Sequence, residues 1–397
     1  MEDSLRLYRT ILEFIWQSGL RLHDLRCLAT YAWAITGILL SHTVHLGEWS
    51  THRKTLVKAG SKERQFSRWL HNDKIQPSSI YRPLIKKVLL EWQGQCLYLA
   101  LDSSVLWDRF VIIRLALVYR GRALPVSWTV IVSQSAMVKL ADYQPILEEA
   151  AKVLPGNCRV ILLADRGFVD QKLSCWLRDQ GWNWRIRLKN STWVHRADGR
   201  WMKIARLMPA KGQALFLHKV WLTKRSFGPI YLALAHIQTP DGYEKWAILS
   251  DEPTDLHTFD EFGLRFDIEE NFLDDKSAGF QLERSAIRNA DALARLGLIL
   301  ATATLYLVSS GVAVVSTGRR HCVDAHWQRG LSYFHIGWRW VSYALTHGLH
   351  LLRFIWIDPL PDPYPVFASR VRAANPLLAL YALLSLLGLQ YTSESRP

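Results

Sequence analysis

Residues 96–132 read CLYLALDSSVLWDRFVIIRLALVYRGRALPVSWTVIV. The first part, CLYLALDSSVLW, is an apolar run of the kind found in a strand buried on both faces, with Asp102 at its predicted C-terminal end. VIIRLALVY and ALPVSWTVI, joined by Arg120-Gly121-Arg122, predict a β-hairpin whose turn uses the positive φ open to Gly121. Downstream, ADYQPILEEAAKVLP predicts a helix stopped by Pro155 and Gly156. CRVILLADRGF predicts a second buried strand ending in Asp165, VDQKLSCWLRDQG a helix and WNWRIRLKN a strand. This β-β-β-α-β-α-β order predicts an α/β layer fold.

Around this unit the texture changes. Residues 1–90 carry apolar positions at helical spacing, as in ILEFIWQSGL and LRCLATYAWAITGILL. Between them and the strands, residues 51–74 hold Arg53, Lys54, Lys58, Lys62, Arg64, Arg68 and Lys74 against Glu63 and Asp73. Arg64 and Arg68, four apart, share a helix face, and Gly60 between two helical patterns is compatible with a helix-turn-helix. Residues 191–250 break the alternation into short strands separated by Gly and Pro turns, a β-rich insertion within the α/β unit. Helix is predicted again from Asp255 through an uncharged stretch, 296–317, long enough to cross a bilayer; its Gly, Ser and Thr content favours a buried core helix. An aromatic, His-rich region and a Pro-rich joint (DPLPDPYPV) follow. His321, His326 and His335 are too irregularly spaced, and too poor in Cys or acidic partners, to predict a metal site.

Composition bounds the function. The chain has 397 residues, 49% hydrophobic, enough to bury a large core, which excludes disordered and disulfide-scaffold classes. Five scattered cysteines without a C-x-x-C pair support neither a zinc site nor a disulfide framework, and MEDSLRLYRT lacks the plan of a secretory signal. A cytoplasmic protein with reduced thiols is expected. The net charge of +14 favours a polyanionic partner, nucleic acid before membrane. The 18 Trp serve equally as core or as stacking platforms.

Chemistry is carried by carboxylates. Asp102 and Asp165 end two buried strands, where a carboxylate is costly unless paired, hydrogen-bonded or bound to a cation. In FGLRFDIEENFLDDK (262–276), Phe262, Arg265, Glu269, Phe272 and Lys276 fall on one helical stripe. Its mixture of charge and Phe predicts a half-buried face presenting Glu269 between two cations. Three carboxylates make an oxygen-donor set for Mg²⁺, with Mn²⁺ as substitute. Two such ions suit phosphodiester cleavage, one activating the nucleophile and the other holding the leaving oxygen. Asp267 and Glu270 compete for the third position; Glu270 points about 100° away from Arg265 and Lys276.

The pattern Phe262-x2-Arg265-x3-Glu269-x6-Lys276, with Asp102 and Asp165 upstream, resembles the Tyr-x2-Arg-x3-Glu-x6-Lys signature of DDE transposases of bacterial insertion sequences, in the insertion-sequence-four group. Phe262 replaces the tyrosine and lacks its hydroxyl. The resemblance covers about residues 95–300. It implies an RNase H-like (retroviral-integrase-like) core at 91–310 with a β-rich insertion at about 191–250. That core is flanked by a helical, basic DNA-binding region at 1–90 and a helical C-terminal region at 311–397. It implies catalysis and metal binding by Asp102, Asp165 and Glu269. DNA contacts fall to Arg265, Lys276, Phe262 and the basic residues Arg53–Arg68, and Trp246 stacks on a flipped base, with Trp201 and Trp221 as substitutes. Cut-and-paste cleavage of terminal inverted repeats and transfer into double-stranded target DNA, by a homodimer and through a hairpinned end, would follow. The alternative is a catalytically silent, domesticated DNA-binding derivative.

Overall fold

β1 (Cys96–Leu106) and β2 (Phe110–Tyr119) pair antiparallel, and β2 continues through Arg120 and Gly121, at φ 49° and 79°, into an antiparallel β3 (Arg122–Val132). The turn thus uses the left-handed conformation that glycine takes without penalty. This structure, a computed structural model, describes residues 3–20, 24–53, 55–196, 198–222, 227–239 and 242–364. Lys54 and residues 365–397, including the end of the expected C-terminal region, lie outside them.

After α6 (Leu140–Ala151), β4 (Arg159–Ala164) joins β1 in parallel, and after α7 (Gln171–Asp179), β5 (Asn183–Arg187) joins β4 in parallel. The first five strands therefore lie in the order β3-β2-β1-β4-β5. The following stretch adds β6 (Trp193–His195), β7 (Trp201–Lys203), a one-turn α8 (Ile204–Leu207), β8 (Ala214–Leu222), β9 (Phe227–Thr239) and β10 (Gly242–Ser250). These strands extend the same sheet, because β10 pairs antiparallel with β5. The result is a mixed α/β protein with one ten-stranded sheet and many helices.

The segment beyond β10 is less regular than a single long helix. α9 (His257–Gly263) and α10 (Phe266–Leu273) meet at Leu264–Arg265, where hydrogen bonds tighten to an i→i−3 pattern, as from the Ile268 N–H to the Arg265 carbonyl (3.1 Å). α10 then widens into a π-helical turn at Asp274–Ala278. Gly279 and Gln281, the latter at φ 58°, turn the chain away. Helix resumes as α11 (Ala290–Ser316), capped by the Asn289 side chain, which accepts from the Ala292 N–H (2.8 Å). The continuous helix expected from Asp255 is thus three segments and a connection.

α11 carries the uncharged stretch and is almost wholly buried by the protein itself: β3, α12 (Tyr333–Thr346) and the N-terminal helices α2 (Leu25–Ser41), α4 (Ala59–Leu70) and α5 (Pro77–Leu89) pack on it. It remains long and apolar enough to cross a membrane by length and composition. Its crossing with α12 is backbone to backbone. A Cβ on Gly311 would stand 1.9 Å from the Tyr333 carbonyl oxygen, and one on Gly337 1.8 Å from that of Leu307. Arg295 ties α11 to the end of α4 by donating to the carbonyls of Leu70 and Ile75. Gly60 lies inside the first turn of α4 instead of between two helices; α3 (Leu46–His52) and α4 are joined by residues 53–58.

Candidate active site

The parallel ladder between β1 and β4 ends at the pair Leu101 and Ala164. Asp102 and Asp165 are the next residues on the two chains, side by side one step beyond it. In-register residues of parallel neighbours project to the same face, so the two carboxylates share one. Asp165 does end its strand. Asp102 does not, because β1 runs on to Leu106 against β2; it stands where β4 leaves β1, and the sequence reading of a strand end is corrected to that extent.

α10 brings Glu269 to this point through Arg265. The Arg265 guanidinium is buried, lies over the Phe266 ring at 4.6 Å, donates to Asp102 Oδ2 at 3.0 Å and donates to Glu269 Oε1. Asp102 also accepts the Ser103 N–H at 2.8 Å. Burial nevertheless pushes the Asp102 carboxyl up to about 6; the Arg265 charge and the Ser103 N–H oppose this, and the Glu269 and Asp165 charges add to it. Asp102 therefore feels the charge of both other acids. Glu270 points elsewhere, pairing with Arg122 at 3.1 Å. Asp267 is buried.

The residues that place α10 were not singled out from the sequence. Arg114, register partner of Asp102 on β2, is buried and donates to Asn271 Oδ1 (2.6 Å) and Asp275 Oδ2 (2.5 Å), with Phe272 beneath it. Arg122 holds Asp274 at 3.1 Å. On the other flank, buried Arg185 of β5 donates to Glu261 of α9 (2.7 Å), which also accepts from the Tyr98 hydroxyl of β1 (3.0 Å). The available signal was arginine inside apolar strand runs, Arg114 in VIIRLALVY and Arg185 in WNWRIRL, where a buried charge demands an acidic partner.

Several expected contacts are placed differently. Phe262 is fully buried on α9 and packs edge-on against Trp246. Trp246 is 5% exposed, stacks on Phe266, and donates its indole N–H to Glu244 (2.9 Å). Both are core, which corrects the readings of Phe262 as a DNA contact and of Trp246 as an open stacking platform. Lys276 sits on the π-helical turn, off the α10 stripe, and donates to the Val105 carbonyl (2.7 Å). Trp201 is partly exposed, stacked on His195 at the outer edge of the sheet. In the basic run, Lys58, Arg64 and Arg68 are exposed; Lys62 is half-buried and donates to the Arg53 carbonyl, and Arg53 is engaged by Gln65.

The donor set suits a hard divalent cation in its chemistry, and Asp165 Oδ1 is buried with no hydrogen-bond partner. As the side chains stand, among the described residues no three acids, His or Cys close on one point, because the Arg265 guanidinium fills the gap between Asp102 and Glu269.

No protein-family model matches the chain. No curated protein matches it either. Among solved structures, the cryo-EM structure of a piggyBac transposase synaptic complex with hairpin DNA is similar over 100% of this chain and 87% of that chain, at 12% identity and a TM-score of 0.43. A likeness of that size supports neither a shared fold nor a shared activity.

Proposed function

We propose that the protein is a DNA transposase of the DDE type, with an RNase H-like core formed by β1–β5 and a β-rich insertion formed by β6–β10. The observation that carries this reading is that Asp165, at the end of β4, stands beside Asp102 of β1 in adjacent register, and that Arg265 bridges Asp102 to Glu269 of α10. The strand order β3-β2-β1-β4-β5, with β1, β4 and β5 parallel, supports it.

Asp102, Asp165 and Glu269 would hold Mg²⁺ or Mn²⁺, which when bound neutralises charge on a phosphodiester and lowers the pKa of the attacking hydroxyl. Arg265 stands between Asp102 and Glu269 and offsets their charge in the free protein; its fork also matches two phosphate oxygens when DNA arrives. Arg114 and Arg122 hold α10 against β2 and β3, fixing where Glu269 projects. Lys58, Arg64 and Arg68 offer an exposed charged face for the DNA backbone.

The test is Mg²⁺-dependent nicking of duplexes carrying the terminal inverted repeats that flank the gene. Asp102→Asn, Asp165→Asn and Glu269→Gln are each expected to lower the rate by about 10³-fold or more, while Glu270→Gln stays within a few fold. Loss in Glu270→Gln alone would move the ligand by one residue. Wild-type protein that binds the repeats and cuts nothing would replace this reading with that of a silent DNA-binding derivative.

A further inference from the structure

With Trp246 in the core, the most open aromatic side chain among the described residues is Trp327, 93% exposed. It stands on the loop between α11 and α12. That loop is tied down around Asp324, whose fully buried carboxylate accepts from Arg320 Nη1 (3.1 Å), the His326 N–H (3.2 Å), His326 Nδ1 (2.6 Å) and the Gly330 N–H (3.0 Å). Arg320 in turn donates to the carbonyls of His326 (2.9 Å) and Trp327 itself (3.0 Å). Arg329 anchors the far side through Asp362 and the Tyr364 carbonyl. A fully satisfied polar network of this kind specifies one loop conformation. This one holds a large indole out in water, where hydrophobic burial alone would not put it.

The stretch of chain that carries the indole is poor in carboxylates. Between Asp291 and Asp358 the chain contains one carboxylate, Asp324, and the loop's own hydrogen bonds consume it. Exposed Arg319, His321, His326 and Arg339 remain on the loop and the adjoining helix. Arg339 is fixed by donating to the Val323 carbonyl. A rigid aromatic face on a loop flanked by the exposed Arg319 and Arg339 matches an unstacked nucleotide: the ring takes the base and the arginines take the flanking phosphates.

We infer that Trp327 and the arginines flanking its loop form a second nucleic-acid contact, one that binds an unpaired or flipped base by stacking. The inference rests on the DNA reading above and extends it to a surface remote in sequence from the carboxylates and from the basic run at 51–74. The contact needs no cation, so it is measured in EDTA with the full-length chain. The probes are a short single-stranded oligonucleotide carrying 2-aminopurine and a blunt duplex of the same sequence. Trp327→Ala is expected to weaken the single-stranded probe about 5- to 100-fold and to abolish the fluorescence quenching that wild type produces. Trp327→Phe keeps most of both, and duplex affinity changes little. Trp16→Ala, removing another exposed tryptophan (62%), serves as control and changes neither. Equal affinity of Trp327→Ala and wild type for the single strand overturns the inference and leaves the proposed function standing. A Trp327→Ala protein that instead changes oligomeric state in size-exclusion chromatography assigns the indole to a protein contact and also overturns it. Wild type binding neither probe overturns both.

Discussion

α10 and α11 are consecutive helices packed on the same strand, β3, and they are held there by opposite means. α10 and its π-helical extension bury Asp267, Asn271, Asp274 and Asp275, and Arg114 of β2 and Arg122 of β3 hold the last three. α11 buries mostly aliphatic side chains and approaches α12 closely through Gly311 and Gly337. Ion pairs and hydrogen bonds have direction, so they fix the rotation and height of a helix; apolar packing supplies stability with little say over orientation. The helix that carries Glu269 is held by the first, and the helix buried at the centre of the molecule by the second.

The largest expected effect on stability breaks the first side of this comparison. Arg114→Met leaves Asp275 buried without its partner and is expected to cost about 3–5 kcal/mol in urea unfolding. Pairing it with Asp275→Leu should recover most of that. A single variant as stable as wild type would show that α10 is not held electrostatically. Next in size, Gly337→Ala forces a methyl group into the Leu307 carbonyl and is expected to cost about 1–3 kcal/mol and lower the thermal midpoint. An unchanged midpoint would mean that α11 and α12 can separate freely.

The smallest effect sharpens the electrostatic side. Burial pushes Asp274 up to about 7, with Asp275 and Glu270 adding to the shift and the Arg122 charge opposing it. Between its ordinary value near 3.8 and about 7 the folded chain holds a proton that the unfolded chain has released, so this group makes stability fall as pH rises through that window. Its contribution to the slope approaches about 1.4 kcal/mol per pH unit at most. Asp274→Asn removes that contribution, which unfolding curves from pH 4 to 8 would show as a flatter pH dependence. An unaltered slope would mean that Asp274 is ionised throughout.

The legible parts of the fold were those written in local pattern. The hairpin turn, the strand before Asp165 and the strands within 191–250 follow from apolar runs bounded by Gly and Pro, and each forms near its predicted place. The breaks around α10 were not legible. The tightening at Leu264–Arg265 and the widening at 274–278 coincide with buried ion pairs to strands some 150 residues earlier, a long-range cause that a helical period cannot carry. For the same reason the stripe reading placed Lys276 beside Glu269, when its ammonium is taken by the Val105 carbonyl. Aromatic residues were the least legible, since spacing does not separate a Trp246 that is core from a Trp327 that is open.

The junction of β10 with β5 has a consequence for anyone wishing to trim this protein. Because β6–β10 continue the ladder, they cover what would otherwise be a raw border at β5. A shortened chain joining residue 190 directly to 251 would leave the Arg185–Arg187 backbone groups without their partners on β10 and offer a ready seam to any other chain. The smallest well-folded version of this molecule is therefore set by its need to close that border, not by the reach of its three acids.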